Sequence, residues 1–252
     1  MRPLDKGSCP QENGVDVVVT SYANWRNYLI QRIGYYCVYC NIPLSHSLNV
    51  EHVVPKVPRP GEAEGDGLSW DNMLLACGPC NNTKSNQPII LQNVYFPETN
   101  NTLLAFDIEE LSENIEAAIV KPKNSLIENQ RIRAAHTIEL LGLDVIDNRP
   151  NIIDIRWKKR RRAMLAAEAA YKLFNKIKEV SPNDLEIAAE YVAINASEIG
   201  FFTLWFKIFV DEQLVIKKLI DPEILPGTAQ DCFLHDTFQA IHRNPGNETD
   251  PI

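Results

Sequence analysis

The chain has 252 residues, of which 45% are hydrophobic and 23% charged, the composition of an ordinary globular protein with one large domain or two modest ones. Its formal net charge of -8 argues against a broad basic surface that would coat nucleic acid without specificity. A local basic patch is compatible with that net charge, because affinity for nucleic acid depends on the Lys and Arg side chains that contact phosphates and not on the total charge of the protein.

The sequence contains no segment that we expect to enter a membrane. Its first residues lack the apolar stretch of a signal peptide. The most apolar run, residues 200–210, is too short to span a bilayer and includes Lys207. We therefore expect a cytoplasmic protein, in which paired cysteines are metal ligands rather than disulfides. The polar residues 1–18 and the tail from Asn244 are predicted to be flexible.

The first third of the chain is predicted to contain short helices and strands. Residues 21–34 have apolar side chains at helical spacing and a terminal glycine, and they predict a helix. Residues 48–54 are rich in β-branched side chains and predict a strand. Three further segments follow in chain order: a short helix or turn at 69–72, an apolar run at 73–76 and the start of a helix within 81–85.

The rest of the chain is predicted to be mostly helical after one hairpin. Two short apolar runs, 103–108 and 117–120, can pair as neighbouring strands. Helical signals then mark three stretches in chain order: 126–141, 154–180 and 182–219.

Two C-x2-C pairs, Cys37/Cys40 and Cys77/Cys80, match the four thiolate ligands of a closed tetrahedral zinc site. The gap between the pairs is longer than in an ordinary zinc ribbon, so other structure must fold inside it. A structural zinc would close that loop and stabilise the fold by on the order of 10 kcal/mol or more. Four buried cysteines without a metal are the alternative.

Residues suited to phosphodiester hydrolysis lie inside and just after this gap. His52 can accept a proton from water near neutral pH. The side-chain oxygens of Glu51 and Asn81 suit Mg²⁺ or Mn²⁺. Strand alternation would point Glu51 and His52 to opposite faces unless the chain bends there. Asn72 is expected to hydrogen-bond backbone near His52, and Lys84 is expected to meet a phosphate.

Each of these residues also has an ordinary structural interpretation. His52 could be a core or surface histidine, and Lys84 a solvated helix charge. Asn72 and Asn81 could serve as turn or N-cap residues. His46 lies in the same stretch, and we interpret it as lying outside the site.

The order C-x2-C, Glu-His, Asn, C-x2-C-Asn-x2-Lys resembles that of the zinc-containing HNH endonucleases, or His-Me finger nucleases, over roughly the first third of the chain. The resemblance implies a ββα-metal fold in which His52 is the general base and Glu51 and Asn81 hold a catalytic cation. Asn72 would be the structural middle residue. Cleavage would leave 3′-hydroxyl and 5′-phosphate ends. Glu51 stands where Asp is more usual and Asn81 where many members have a second His, and both variants suit an oxygen-ligated ion.

A weaker resemblance lies further along the chain. Residues 136–144 have the sequence HTIELLGLD and precede an arginine-rich helix, which is similar to the HNH subunits of Septu-type ATPase–nuclease anti-phage systems. This resemblance implies an ATPase partner protein and a role in antiviral defence.

The segment WKKRRRAM, residues 157–164, contains five consecutive cations in an acidic chain. Successive helix residues rotate by about 100°, so these cations cannot share one solvent face. At least one of Arg160 and Arg161 should point along the packed side, towards an acidic partner, a subunit or a phosphate. We predict that Arg160 and Arg161 contact DNA, whereas Lys158 and Lys159 fit a solvated charge run equally well.

Together these patterns predict an α+β protein with two domains. Residues 1–95 would form the zinc-containing nuclease module, with its core at 35–87. Residues 96–252 would form a mostly α-helical domain for DNA or partner binding. The predicted function is metal-dependent hydrolysis of DNA phosphodiesters, with RNA as the other candidate substrate. A noncatalytic zinc-binding adaptor for nucleic acid or protein, and a toxin nuclease directed at RNA, are the alternatives.

Overall fold

The computed structural model describes residues 1–45, 49–57, 59–62, 64–111, 116–146, 154–247 and 249–252. His46 and Leu48, the first residue of the predicted strand, lie outside the described residues. Within the described ranges, no helix has the length and apolar character needed to cross a membrane.

A short hairpin and a helix precede the first cysteine pair. Strands β1 (Gln11–Glu12) and β2 (Val15–Asp16) pair antiparallel. A 3-10 turn at Tyr22–Trp25 leads into α1 (Arg26–Ile33). The predicted helix is therefore present with a 3-10 first turn. It ends at Gly34, whose φ of 79° lies in the region that favours glycine.

Two strands and a helix follow in the order that the HNH resemblance implies. β3 (Asn49–His52) pairs antiparallel with β4 (Met73–Ala76), and α2 (Gly78–Lys84) follows directly. All four residues of β4 are buried, as its apolar run predicts. The ββα order is confirmed. α2 begins before the predicted 81–85 because Cys77 caps its N-terminus and a proline follows in the first turn.

A second hairpin supports the helical part of the chain. One helical turn, α3 (Thr102–Ala105), precedes β5 (Phe106–Glu110), which pairs antiparallel with β6 (Ala118–Pro122). The predicted hairpin is confirmed, but its first strand starts later than residue 103. The reason is that the Asn101 side chain caps α3 by accepting from the Leu103 amide at 3.2 Å.

Helices form most of the remaining described chain, as predicted. α4 (Glu128–Leu141) ends at Gly142 in the left-handed conformation, and α5 (Arg156–Val180) runs for 25 residues. α5 packs against β6 and two of the later helices, so the second hairpin and the helices share one core. Three shorter helices follow: α6 (Leu185–Ile199), α7 (Phe202–Ile208) and α8 (Gln213–Leu219).

The N-terminus is packed into the protein, so the predicted flexibility of residues 1–18 is wrong for the first residues. The α-amino group of Met1 donates to Thr203 Oγ1 at 3.0 Å. The guanidinium of Arg2 donates to Ile33 O at 3.1 Å and to Thr228 Oγ1 at 2.8 Å. These partners are distant in sequence, so local polarity did not reveal them.

The C-terminal tail is anchored as well, contrary to prediction. Asp250 accepts a hydrogen bond from the Tyr95 hydroxyl at 2.7 Å and pairs with Arg133 at 2.9 Å. Ile252 is buried. These contacts and a continuous hydrophobic core cross the predicted domain boundary at residue 95, and the division into two domains stays a prediction.

Candidate active site

The four cysteines of the C-x2-C pairs meet in one buried cluster. Their sulfur atoms all lie within 4.8 Å of one another, and none forms a disulfide. The first pair lies in a turn after α1, where Asn41 adopts a left-handed φ of 58°. The second pair spans the start of α2, where the Cys77 sulfur accepts from the Cys80 amide at 3.5 Å.

The cluster fits one tetrahedral zinc ion. Zn–S bonds of about 2.3 Å give sulfur–sulfur edges of about 3.8 Å, and the sulfurs of Cys40 and Cys77 are 3.7 Å apart. Four sulfur donors select a soft or borderline ion over Mg²⁺ or Ca²⁺. Donor chemistry and spacing therefore both support zinc binding by Cys37, Cys40, Cys77 and Cys80.

Arg156, at the start of α5, closes the cluster from the helical side. Its guanidinium donates to the Cys80 sulfur at 3.1 Å and to the carbonyls of Leu141 and Gly142 at 2.9 and 2.8 Å. It also pairs with Asp154 at 2.7 Å. Four thiolates carry more negative charge than one zinc ion neutralises, so this buried cation stabilises the ligand set. Arg156 was not predicted from the sequence, although it immediately precedes the basic segment.

His52 ends β3 with its imidazole partly exposed. Its Nε2 lies 3.2 Å from the Gly67 carbonyl oxygen, and its ring centroid lies 4.8 Å from that of Tyr22. A carbonyl can only accept, so Nε2 carries the proton and Nδ1 is the acceptor. Partial burial lowers the pKa of His52, the cations Lys56 and Lys84 add to this, and the Gly67 hydrogen bond opposes it. The imidazole is therefore neutral at pH 7.

Asn72 clamps the loop that follows β3. Its Oδ1 accepts from the Val54 amide at 2.7 Å, and its Nδ2 donates to the carbonyls of Val54 and Asp66 at 2.9 and 2.8 Å. The expected bonding to backbone near His52 is present, while a role in catalysis stays a prediction. Gly65 belongs to the same clamp, because a Cβ there would lie 2.1 Å from the Val54 carbonyl oxygen.

Glu51 is buried on the face of β3 opposite to His52, as strand alternation predicts. Its carboxylate lies 2.6 Å from the Lys84 ammonium and accepts from the Tyr39 hydroxyl at 2.7 Å. Burial raises the pKa of Glu51, and Lys84 opposes that rise. Glu51 is only 2% exposed, so its predicted role as a ligand of a hard cation does not fit the side chains as arranged.

Lys84 lies in the interior between α2 and β3. Its side chain is 1% exposed, and Nζ donates to the His52 carbonyl at 2.8 Å besides pairing with Glu51. The prediction that Lys84 meets a phosphate is therefore wrong, because the ammonium group is enclosed and already bonded. Asn81, one turn earlier on α2, is partly exposed, and its role as a metal ligand stays a prediction.

Arg160 and Arg161 face the second hairpin rather than solvent. Arg160 is 1% exposed and donates to the carbonyls of Ala118 and Leu143 at 2.8 and 3.2 Å. Arg161 pairs with Glu110 at 2.6 Å. The expectation that an arginine here points along the packed side is confirmed. The predicted DNA contact of Arg160 is wrong because Ala118 of β6, Leu143 and the Phe201 ring enclose its guanidinium, whereas that of Arg161 stays a prediction.

Two residues beside His52 were not predicted from the sequence. Tyr22 reaches the imidazole from the 3-10 turn before α1. Lys56 is exposed, and its Nζ lies 4.5 Å from the centre of the Tyr22 ring. Together they place an aromatic ring and an exposed cation beside the imidazole. Lys56 could have been identified from the sequence, because it lies four residues after His52. Tyr22 could not, because only the fold brings it close to the imidazole.

Comparison with known proteins identifies the same stretch. The family model for HNH endonuclease matches residues 37–87, about a fifth of the chain. The match contains all four clustered cysteines together with β3, β4 and α2. No curated protein and no solved structure matches the chain. The weaker resemblance to Septu-type subunits finds no support, and residues 136–144 form the end of α4 with its Gly142 cap.

Proposed function

We propose that this chain, whose residues 37–87 form an HNH endonuclease domain, is a nuclease that hydrolyses DNA phosphodiesters with His52 as the general base. The observation that supports this proposal is the state of the imidazole. The ring is partly exposed, its Nε2 lies 3.2 Å from the Gly67 carbonyl oxygen, which leaves Nδ1 as the acceptor of the neutral ring, and burial lowers its pKa. A general base needs such an unprotonated nitrogen and a pKa near the working pH.

In the proposed reaction, Nδ1 of His52 takes a proton from a water molecule whose oxygen attacks phosphorus. The bond between phosphorus and the 3′ oxygen breaks, and a solvent proton goes to that leaving oxygen. The products carry a 3′-hydroxyl and a 5′-phosphate. Negative charge increases on the phosphoryl oxygens, and the exposed ammonium of Lys56 is the residue that we assign to meet it.

A divalent cation, Mg²⁺ or Mn²⁺, is proposed as the catalytic cofactor because HNH nucleases generally use a divalent metal ion. Such an ion, when bound, stabilises charge on the phosphoryl group. Glu51 is held by Lys84 and Tyr39, which leaves the partly exposed carboxamide of Asn81 as the predicted protein ligand that could hold this ion. Nicking that requires added Mg²⁺ or Mn²⁺ at constant zinc content would support the proposal, and equal nicking without either ion would contradict it.

A cellular setting is proposed from the sequence alone. It comprises a cytoplasmic location, an ATPase partner and a role in defence against phage. Residues 96–252 would supply the surface that binds DNA or the partner. Stoichiometric copurification of an ATPase with the full chain would support this setting, and purification without one from the native host would count against it.

His52→Ala tests the catalytic proposal. We expect plasmid nicking to fall by about 10²–10⁴-fold. Zinc content should stay unchanged, and the unfolding midpoint should fall only slightly, because the partly exposed ring loses one hydrogen bond worth about 0.5–1.5 kcal/mol. His235→Ala is the matched control, because that side chain is fully exposed. If His52→Ala nicked plasmid as fast as His235→Ala, His52 would not be the base.

The buried Glu51–Lys84 pair favours one second candidate, a noncatalytic zinc-binding adaptor. In that case purified wild type would bind nucleic acid or protein without cutting it, and His52→Ala would bind equally well. Cleavage assays with tRNA and with plasmid DNA in parallel distinguish the third hypothesis, an RNA-directed nuclease, from the DNA nuclease. The RNA-directed nuclease would cleave tRNA, and the DNA nuclease would cleave the plasmid.

A further inference from the structure

The hairpin of α5 and α6 has an apolar face that no described residue covers. On α5 the exposed apolar residues lie along one side of the helix, and on α6 they recur at intervals of three and four residues. Each is 47–70% exposed. We call this surface the α5–α6 face; its apolar members are Leu165, Leu173, Val180, Ile187, Tyr191 and Ile194.

A groove joins the two exposed stripes into one surface. It has a volume of about 290 Å³ and is lined by Phe174 and Ile177 from α5 and by Ala188 and Val192 from α6. Leu173 and Tyr191 border the same groove. A contiguous exposed apolar surface of this kind usually marks an interaction site in a soluble protein.

Charged residues flank the α5–α6 face with opposite signs on its two helices. The α5 side exposes Arg162, Lys172 and Lys176, whereas the α6 side exposes Glu186, Glu190 and Glu198. Within the protomer, Lys176 pairs with Glu179 at 3.1 Å and Lys218 of α8 pairs with Glu186 and Glu190 at 3.0 and 3.7 Å. Cations still outnumber anions among the exposed residues of α5, and the exposed charges of α6 are all carboxylates. The face is therefore basic on one helix, apolar along the middle and acidic on the other helix. A two-fold rotation about an axis parallel to the helices makes such a surface complementary to itself, because it places the basic helix of one copy over the acidic helix of the other.

We propose that the α5–α6 face is the interface of a homodimer, with α5 of one protomer lying antiparallel on α6 of its partner. A two-fold interface uses the same patch on both subunits, so the patch must be complementary to itself. A two-fold axis parallel to the helices meets that condition, because it brings the basic side of each α5 over the acidic side of the other α6. An axis across the helices would bring like charges together.

The size of the face fits a dimer of modest affinity. From Leu165 to Val180, α5 extends about 22 Å at 1.5 Å per residue, and two helices packed side by side are about 20 Å wide. The flat footprint is thus roughly 440 Å², about half of the ~800 Å² per partner of a standard interface, which is the size of a weak and reversible contact. Dimerisation in the micromolar range is therefore expected. Dimerisation through this face requires no nuclease activity.

A charge exchange on the full zinc-loaded chain tests the arrangement. One variant carries Lys172→Glu with Lys176→Glu, and the other carries Glu190→Lys with Glu198→Lys. By sedimentation velocity, each variant alone should dissociate at least about tenfold more readily than wild type. An equimolar mixture should recover wild-type affinity, because each helix then meets an opposite charge. Mixing that restores nothing would overturn the α5-on-α6 arrangement.

An apolar substitution tests the surface itself. Leu173→Glu with Tyr191→Glu should make the chain monomeric at concentrations where wild type is dimeric, since two charges would be buried without partners. Both side chains are more than half exposed, so zinc content and circular dichroism should stay unchanged. Val18→Glu, at a residue 89% exposed elsewhere, is the control and should dimerise normally. A wild-type chain that is monomeric up to about 100 μM, well above a micromolar Kd, would overturn the proposal, as would dimers that survive the double substitution.

Discussion

The two faces of β3 place neighbouring ionisable residues in opposite environments. Glu51 lies on a dry face, where Lys84 and Tyr39 enclose its carboxylate. His52 lies on a partly exposed face beside Tyr22 and Lys56. Adjacent strand residues point to opposite sides of the strand. Glu51 therefore contributes to the stability of the fold, whereas His52 is accessible for the proposed chemistry. We therefore expect substitutions on the dry face to change folding, and substitutions on the exposed face to change activity.

The largest expected effect comes from the zinc cluster, which belongs to the buried side. Cys80→Ser should abolish stoichiometric zinc binding and unfold residues 37–87, because structural zinc contributes on the order of 10 kcal/mol. Elemental analysis and circular dichroism measure both outcomes. Cys9→Ser is the control, because Cys9 is a free thiol outside the cluster. A stable wild-type chain without zinc would refute the expectation.

Next in size is the buried ion pair. Lys84→Met leaves the Glu51 carboxylate without its cation, and removing one partner of a buried pair costs about 3–5 kcal/mol. The urea midpoint should fall accordingly. Adding Glu51→Gln to Lys84→Met should restore part of the loss, because the orphaned charge is removed. Strictly additive effects of the two substitutions would show that the pair does not act as a unit.

The same contrast shows what the sequence could predict. The cysteine spacing predicted the metal cluster, because it follows from local geometry. Strand alternation left two arrangements open, a bend that brings Glu51 and His52 together or opposite faces, and the structure has the second. The burial of Lys84 could not be predicted, because it depends on how α2 packs on β3. Met1 was mispredicted as flexible for the same reason, since its partner Thr203 lies on a distant helix.

A smaller effect is expected from Asn72, whose side chain holds the loop after β3. Asn72→Ala leaves the Val54 amide and the carbonyls of Val54 and Asp66 without their partner, and lost hydrogen bonds of this kind cost about 1–3 kcal/mol. Limited proteolysis within residues 53–67 should accelerate, and nicking should slow because the backbone after His52 loosens. Asn82→Ala, at an exposed position on α2, should change neither. Unchanged cleavage of the loop in Asn72→Ala would argue against the clamp.

The smallest effect concerns pH and sharpens the description of the exposed face. The pKa of His52 lies below its ordinary value of 6.5, first because of burial and then because of Lys56 and Lys84. As pH falls below 6.5, the unfolded chain takes up this proton before the folded chain does. The stability that comes from keeping His52 neutral in the folded protein is therefore fully present above pH 6.5. It is lost as the pH falls from 6.5 towards the lower pKa that His52 has in the folded protein. Nicking should fall over the same acid range, because a protonated imidazole accepts no proton.

Lys56→Gln separates the causes of that lowered pKa. Removing the exposed cation should raise the pKa of His52 and move the acid limb of the nicking profile to higher pH, since one of the groups that disfavour the imidazolium is gone. NMR titration of the ring protons measures the pKa directly. Lys158→Gln, on α5, is the matched control and should leave the titration unchanged. A downward shift in Lys56→Gln would mean that Lys56 does not act on His52 through its charge, and the assignment of Lys56 to the phosphate would lose its support.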